Sequence, residues 1–300
     1  MIALPERLAD GIAALTDGID LRSAARAMSE AYRDGRPTVV TSEREAVAYA
    51  AYRMPATFAA TVAALRAVRG ALPGLVPTTL VDVGAGPGTA MWAACDVFPS
   101  IESAVLVESN AHMRKVCDRL ASGLDVTWAD TTSADADLVV ASYSVGEDTL
   151  DIEELWKRAV DALVVVEPGT PRGFASVIDA RTKLLEHGGH VVAPCPHDDP
   201  CPMRTPAWCH FAVRLPRSAT HRSVKDAELP YEDEKYSYVA VTRRDVLDRA
   251  PRVIDHPHYR KHRVSLSLCS PDGLRKREVP RSDEGYRAAR RVAWGDAFPD

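Results

Sequence analysis

The sequence predicts an α/β protein built on a parallel sheet with helices on both faces, and three observations predict it. From residue 78 onward, short apolar β-branched runs alternate with helical segments, the pattern that a sheet covered on both faces requires. A glycine-rich turn, VDVGAGPGT at Val81 to Thr89, stands between the first such run and the helix after it. Residues 1–75 carry Ala-, Leu- and Arg-rich stretches with helical character, so a helical region precedes the sheet.

The elements follow in order. LPERLADGIAAL, DLRSAARAMSEAYRDG and SEREAVAYAAYRMPATFAATVAALRAVRGAL read as helices. Ser42 and Glu45 form a capping box, and Pro55 divides the segment after it. Then come TTLVDVG (strand), TAMWAACDVF (helix), SAVLVE (strand), SNAHMRKVCDRLAS (helix), LDVTWAD and ADLVVASYS (strands). EDTLDIEELWKRAVDA (helix), ALVVVEPG (strand), GFASVIDARTKLLEHGG (helix) and GHVVAPCP (strand) complete the alternation. EKYSYVAVTR and HRVSLSLCS are read as two further strands that complete the same sheet. The expected organisation is a helical region at 1–75 and a cofactor-binding domain at 76–300. That domain includes a cysteine-rich insertion at about 194–232 and a basic segment at about 249–300.

The glycine loop is the first chemical signal. Gly84, Gly86 and Gly88 let the chain turn sharply from strand to helix and let a ligand approach the backbone. Asp82 stands just before them. Glu108 ends the next strand, where an acid accepts from both ribose hydroxyls of a nucleoside. The spacing lacks the third glycine of the dinucleotide fingerprint, and Pro87 removes an N–H that would cradle a pyrophosphate. Both points favour S-adenosylmethionine (SAM) over NAD. Asp130, ending the third strand, is a candidate for the adenine amino group. Exocyclic-amine methyltransferases present an Asn/Asp-Pro-Pro-aromatic tetrad after the fourth strand, and here that position reads ASYSVGED. Tyr143, Ser144 and Glu147 are the polar groups expected to border a methyl site, and no catalytic residue is assigned. Cys95 and Cys117 lie in helices and read as core residues.

The remaining cysteines are the second signal. Cys195, Cys201 and Cys209 fall in PCPHDDPCPMRTPAWCHF, and Cys269 follows in SLSLCSPDG. The N-terminus has acids and an early proline where a signal peptide needs a basic start, and no stretch approaches about 18 apolar residues. A cytoplasmic compartment with no membrane span is therefore expected, and clustered thiols in a reducing compartment bind metal more often than they pair. The spacing lacks paired CxxC knuckles, which suits an iron–sulfur cluster better than zinc, with a zinc site and unligated thiols as alternatives.

Charge is the third. Residues 249–291 hold 12 Lys and Arg against 5 Asp and Glu, in a chain whose net charge is −5. A basic surface on an acidic protein points to a polyanion, and the bland alternative is a solvated face. Arg217, Arg222, Lys225, Arg260, Lys261 and Arg263 are the candidate RNA contacts.

Several of these segments together resemble one family, the methyltransferase-like proteins associated with the small ribosomal subunit, which has bacterial members and mitochondrial assembly factors. They are VDVGAGPGT, VVVEPGTPRGF, PCPHDDPCP with WCHF, ELPYEDEKYSYVAVTR, and SLSLCSPDG with the basic tail ending near AWGD. The AYAAYRMPAT segment near residue 50 resembles the family's helical N-terminal part. The resemblance implies a Rossmann-like SAM-dependent methyltransferase fold and a [4Fe–4S] cluster on Cys195, Cys201, Cys209 and Cys269. It also implies work on small-subunit (16S-type) rRNA, on the subunit or its precursor, during assembly. A monomer is expected. Three readings stand: an rRNA methyltransferase, a non-catalytic assembly factor that uses fold and cluster as scaffold, and a small-molecule methyltransferase with structural zinc.

Overall fold

The computed structural model describes residues 1–33, 39–121, 123–147, 150–219, 221–222, 228–246 and 249–298. The chain begins with four helices, α1 (Glu6–Thr16), α2 (Arg22–Arg33), α3 (Glu43–Tyr52) and α4 (Met54–Ala71). Ser42 starts α3 by accepting from the Glu45 N–H at 3.3 Å. The Glu45 carboxylate reaches back to the Thr41 N–H at 2.6 Å, a capping box whose return bond lands one residue upstream. Helix α3 ends two residues before α4 begins, and Pro55 sits in the first turn of α4, where its missing N–H costs nothing. Met54, Phe58, Val62 and Leu65 of α4 are fully buried, and alanines on its other faces let neighbours approach closely.

The main sheet contains β1 (Thr79–Val83), β2 (Ser103–Val107), β3 (Val126–Ala129), β4 (Ala136–Ser142), β5 (Ala159–Pro168), β6 (His190–Ala193), β7 (Phe211–Pro216) and β8 (Tyr231–Thr242). Its order is β3-β2-β1-β4-β5-β8-β6, with β7 paired to β8. Strands β1 to β5 pair in parallel. β8 runs antiparallel to β5, β6 and β7, and its twelve residues reach all three. The central strands are continuous apolar runs because both faces are covered: Val139, Val140 and Leu163 to Val166 are fully buried. Helices α5 (Thr89–Val97), α6 (Ala111–Leu120), α7 (Ile152–Arg158) and α8 (Pro171–Glu186) are those expected between strands. Helix α7 stops at Arg158, short of its expected end. Ala159 instead pairs with Ala136 and opens β5, so a ladder bond wins over one more helical turn.

The C-terminal part differs from the expectation. HRVSLSLCS is a strand, β11 (Arg263–Ser270), but it does not join the main sheet. It pairs with β12 (Gly273–Pro280), β10 (His258–Arg260) and β9 (Arg252–Val253) in a separate antiparallel sheet. The cause is local: the tight turn after Ser270, with Gly273 at φ +109°, closes a hairpin before any distant strand can compete. Val253, Val264, Leu266, Leu268, Val279 and Phe298 form the core under this sheet. Residues 194–210 link β6 to β7. Among the described residues no helix is long and apolar enough to cross a membrane.

Candidate cofactor loop and four-cysteine pocket

The glycine loop leaves the carboxyl end of β1, between β2 and β4, where the strand order reverses and α/β sheets hold their ligands. The loop's three glycines all have positive φ, at +69°, +54° and +82°. A Cβ on Gly84 would lie 2.4 Å from Cβ of Ser144, and one on Gly88 would lie 2.8 Å from the Cys117 sulfur. Gly86 faces open space. The Gly86 N–H donates to Glu108 Oε2 at 2.8 Å, and the Asn110 N–H donates to Oε1 at 2.7 Å. Each carboxylate oxygen keeps a lone pair for a further donor. Asp130 is exposed and paired with Arg114 at 2.9 Å, beside the end of β3.

Asp82 is buried beneath the loop. Oδ2 accepts from the Met91 N–H at 2.9 Å, while Oδ1 is buried with no hydrogen-bond partner among the described residues. Burial, reinforced by the Glu108 charge and opposed by the Met91 bond, pushes its carboxyl up to about 7. The unfolded chain ionises near pH 4, so between pH 4 and 7 the native state holds the extra proton and stability falls as pH rises. Asp82→Asn is therefore expected to gain on the natural protein as pH rises from 4 to 8, by at most about 4 kcal/mol. Thermal melts across that range check it, and a pH-independent difference would mean that the carboxyl titrates normally.

After β4 the chain turns at Tyr143, a non-glycine residue with φ +59°. The Tyr143 hydroxyl donates to Glu234 Oε1 at 3.0 Å, and the Ser144 hydroxyl donates to the Val83 carbonyl at 2.9 Å. Arg53, between α3 and α4, pairs with Glu234 at 3.0 Å, and both side chains are 11% exposed. Sequence reasoning missed this Arg53–Glu234–Tyr143 network, because its members lie 181 and 91 residues apart.

Cys195, Cys201, Cys209 and Cys269 line a single cavity, together with Phe174, Val177, Arg181 and Tyr238. All four thiols are free. Burial pushes the Cys195, Cys209 and Cys269 thiols up, Cys269 to about 12, and the neighbouring thiols push Cys209 and Cys269 further. The His197 ring nitrogen Nε2 lies 3.8 Å from the Cys269 sulfur. Asp198 anchors the loop. It accepts from the Val191 N–H at 2.8 Å and pairs with Arg249 at 2.7 Å. Among the described residues no group of three or more His, Cys, Asp or Glu side chains is arranged to hold a metal ion. The expected metal-binding arrangement is therefore not seen among the described residues; what the fold brings together is four thiols lining one cavity. Cys117 is fully buried and Cys95 packs against the core, as expected of helix-borne cysteines.

The basic residues divide. Arg260, Lys261 and Arg263 are exposed at the β10–β11 turn, with Arg263 3.5 Å from Glu278. Arg222 is exposed. Arg217 is drawn inward instead: it is 15% exposed and binds Glu232 through two nitrogens at 2.9 and 3.0 Å. Lys225 lies outside the described residues.

The order β3-β2-β1-β4-β5, a glycine loop at its switch point and an antiparallel strand lodged between β5 and β6 define a Rossmann-like fold of the methyltransferase class. The particular family is given by the sequence. The sequence model described as Mitochondrial small ribosomal subunit Rsm22 matches residues 43–299, and the chain belongs to that family. It is 29% identical over 293 residues to the human ribosome assembly protein METTL17, mitochondrial, covering 86% of this chain and 63% of that protein. It is 28% identical to Rsm22-cox11 tandem protein 2, mitochondrial, of Schizosaccharomyces pombe, covering 73% of this chain and 38% of that protein. The chain thus spans less than two thirds of either relative. Among solved structures, a putative RNA methyltransferase from Pyrococcus horikoshii aligns over 64% of this chain and 84% of its own. It has a TM-score of 0.41 and 16% identity.

Proposed function

We propose that this protein binds SAM at the Gly84–Gly88 loop, holds an iron–sulfur cluster on four cysteines, and works with small-subunit rRNA in ribosome assembly. The convergence of Cys195, Cys201, Cys209 and Cys269 from two separate sheets' loops and strands into one cavity supports this reading most. An all-thiolate donor set suits iron–sulfur chemistry. One zinc at about 2.3 Å from each sulfur draws four sulfurs to about 3.8 Å from one another. Among the described residues, four thiols and no carboxylate or histidine line the cavity, a donor set that suits iron–sulfur chemistry as well as it suits a single zinc. The cluster would supply a rigid tie between the cofactor domain and the basic sheet. Because β11 carries both Cys269 and Arg263, the tie would also orient the cations at the β10–β11 turn. A compartment that keeps thiols reduced, such as cytoplasm, belongs to the same reading.

Toward SAM, Gly86 offers open backbone, Glu108 offers acceptors for a ribose diol, and the orphaned Asp82 Oδ1 is a buried polar atom beneath the loop. Bound SAM would supply a transferable methyl group. Glu108→Ala is expected to weaken SAM by about 1.5–3 kcal/mol, the range for hydrogen bonds to a charged group. Calorimetry checks it, and unchanged affinity would remove Glu108 from the site.

A specific observation favours the scaffold reading over methyl transfer. The Tyr143 and Ser144 hydroxyls, the polar groups nearest the expected methyl end, already donate to Glu234 and to the Val83 carbonyl. Transfer of labelled methyl from SAM to immature small subunits separates the two readings. The rRNA partnership has its own test. Reversing Arg260, Lys261 and Arg263 to Glu should lower rRNA affinity at least about tenfold at low salt and flatten its salt dependence, because phosphate contacts release counterions. Gradient sedimentation with small-subunit precursors gives the parallel readout. Unchanged affinity and no co-migration would end the ribosomal reading.

A further inference from the structure

Two arginines converge on the four-cysteine cavity. Arg181 is 3% exposed and lines the cavity from α8. Its Nη2 donates to the carbonyls of His197 at 2.9 Å and Asp199 at 2.7 Å, fixing the loop between Cys195 and Cys201. Its positive charge faces the Cys195 thiol, with which it lines the cavity. Its Nε is buried with no acceptor among the described residues. Arg252, on β9, donates through Nε to the Pro194 carbonyl at 3.0 Å and through Nη1 to the Gly295 carbonyl at 3.0 Å. It therefore approaches the same thiols from the small sheet.

A buried guanidinium N–H without an acceptor is costly, and native proteins rarely leave one so. Here it accompanies a cavity walled by four sulfurs and apolar side chains. An anionic occupant with acceptor atoms on its surface relieves that cost. A cluster core of charge 2+ on four thiolates carries two net negative charges and exposes bridging sulfides. Arg181 and Arg252 bring two positive charges, so the assembly is neutral in the oxidised state and gains only one negative charge on reduction.

We propose that Arg181 and Arg252 are charge-compensating positioning residues for the four-cysteine site, with the Arg181 Nε–H donating to the occupant. This rests on the iron–sulfur reading above. A nearby cation stabilises the reduced, more negative form more than the oxidised one, so it raises the reduction potential. Arg181 would act twice, through charge and by pinning the loop that presents Cys195 and Cys201.

The test compares the full-length protein with Arg181→Met, Arg181→Lys and Arg252→Met, all purified without air. Iron and sulfide are assayed, and the cluster is titrated by electron paramagnetic resonance. Both Met variants are expected to shift the midpoint potential to more negative values, and Lys at 181 to restore most of the shift. Should Arg181→Met lose its iron, retention by Arg181→Lys at a near-natural potential gives the same support. Equal iron loss in both 181 variants, together with an unmoved potential in Arg252→Met, overturns the proposal. So does iron retained at the natural potential in every variant. Colourless, iron-free natural protein overturns the cluster reading itself, and this inference with it.

Discussion

If the four-cysteine site holds the proposed cluster, a Cys209→Ser protein is expected to lose metal and much of its stability together, while Cys95→Ser loses neither. Cys209 lies just before β7, and its carbonyl accepts from the Ser237 hydroxyl of β8 at 2.8 Å, so its backbone stays in place without the thiol. The loss is therefore one of ligation. A metal site that does not exist in the unfolded chain contributes its binding energy to folding, about 10–16 kcal/mol for structural zinc in small fingers. One ligand in four then carries roughly 2.5–4 kcal/mol. Cysteines 195 and 209 belong to the main sheet's loops while Cys269 belongs to β11, so the lost tie is one between two cores. Anaerobic iron analysis beside thermal melts decides the matter. Equal melting of natural and Cys209→Ser protein, both free of metal, would show the four thiols to be lining and nothing more.

The alternation of strands and helices was legible because each element carries its own period, and β1 to β6 stand where the apolar runs place them. So was the glycine turn, because a strand–glycine–helix turn with an acid at the next strand end is a local pattern. What stayed hidden depends on pairing between distant segments. The place of β11 was decided by its hairpin with β12, and the inward turn of Arg217 by Glu232 across the β7–β8 register. Arg181 left a usable trace. Val177, Ala180, Arg181 and Leu184 share one face of α8 at helical spacing, and all four are buried. An arginine on the apolar stripe of an amphipathic helix needs a buried partner, and that spacing alone could have marked it. Tyr143 left none: nothing in its local sequence marks a positive φ, and its N–H donates to the Val166 carbonyl of β5, 23 residues on.

Arg53→Met is expected to destabilise the protein by about 3–5 kcal/mol, the cost of stripping a nearly buried carboxylate of its cation. Glu234 would keep the Tyr143 hydroxyl as a donor but lose both guanidinium contacts, at 3.0 and 3.5 Å. The double variant Arg53→Met with Glu234→Gln should recover most of that loss, because no charge is then left buried. Urea denaturation of the two single variants and the double variant gives the coupling directly. Additive losses would mean that the pair contributes nothing as a pair. The effect should also reach the cofactor loop. Arg53 stacks over the Tyr143 ring at 5.7 Å, and Tyr143 precedes Ser144, whose side chain closes against Gly84. Losing Arg53 frees the turn that walls the glycine loop, so the SAM affinity proposed above should fall in the single variant and stay low in the double, which regains stability but also lacks the guanidinium.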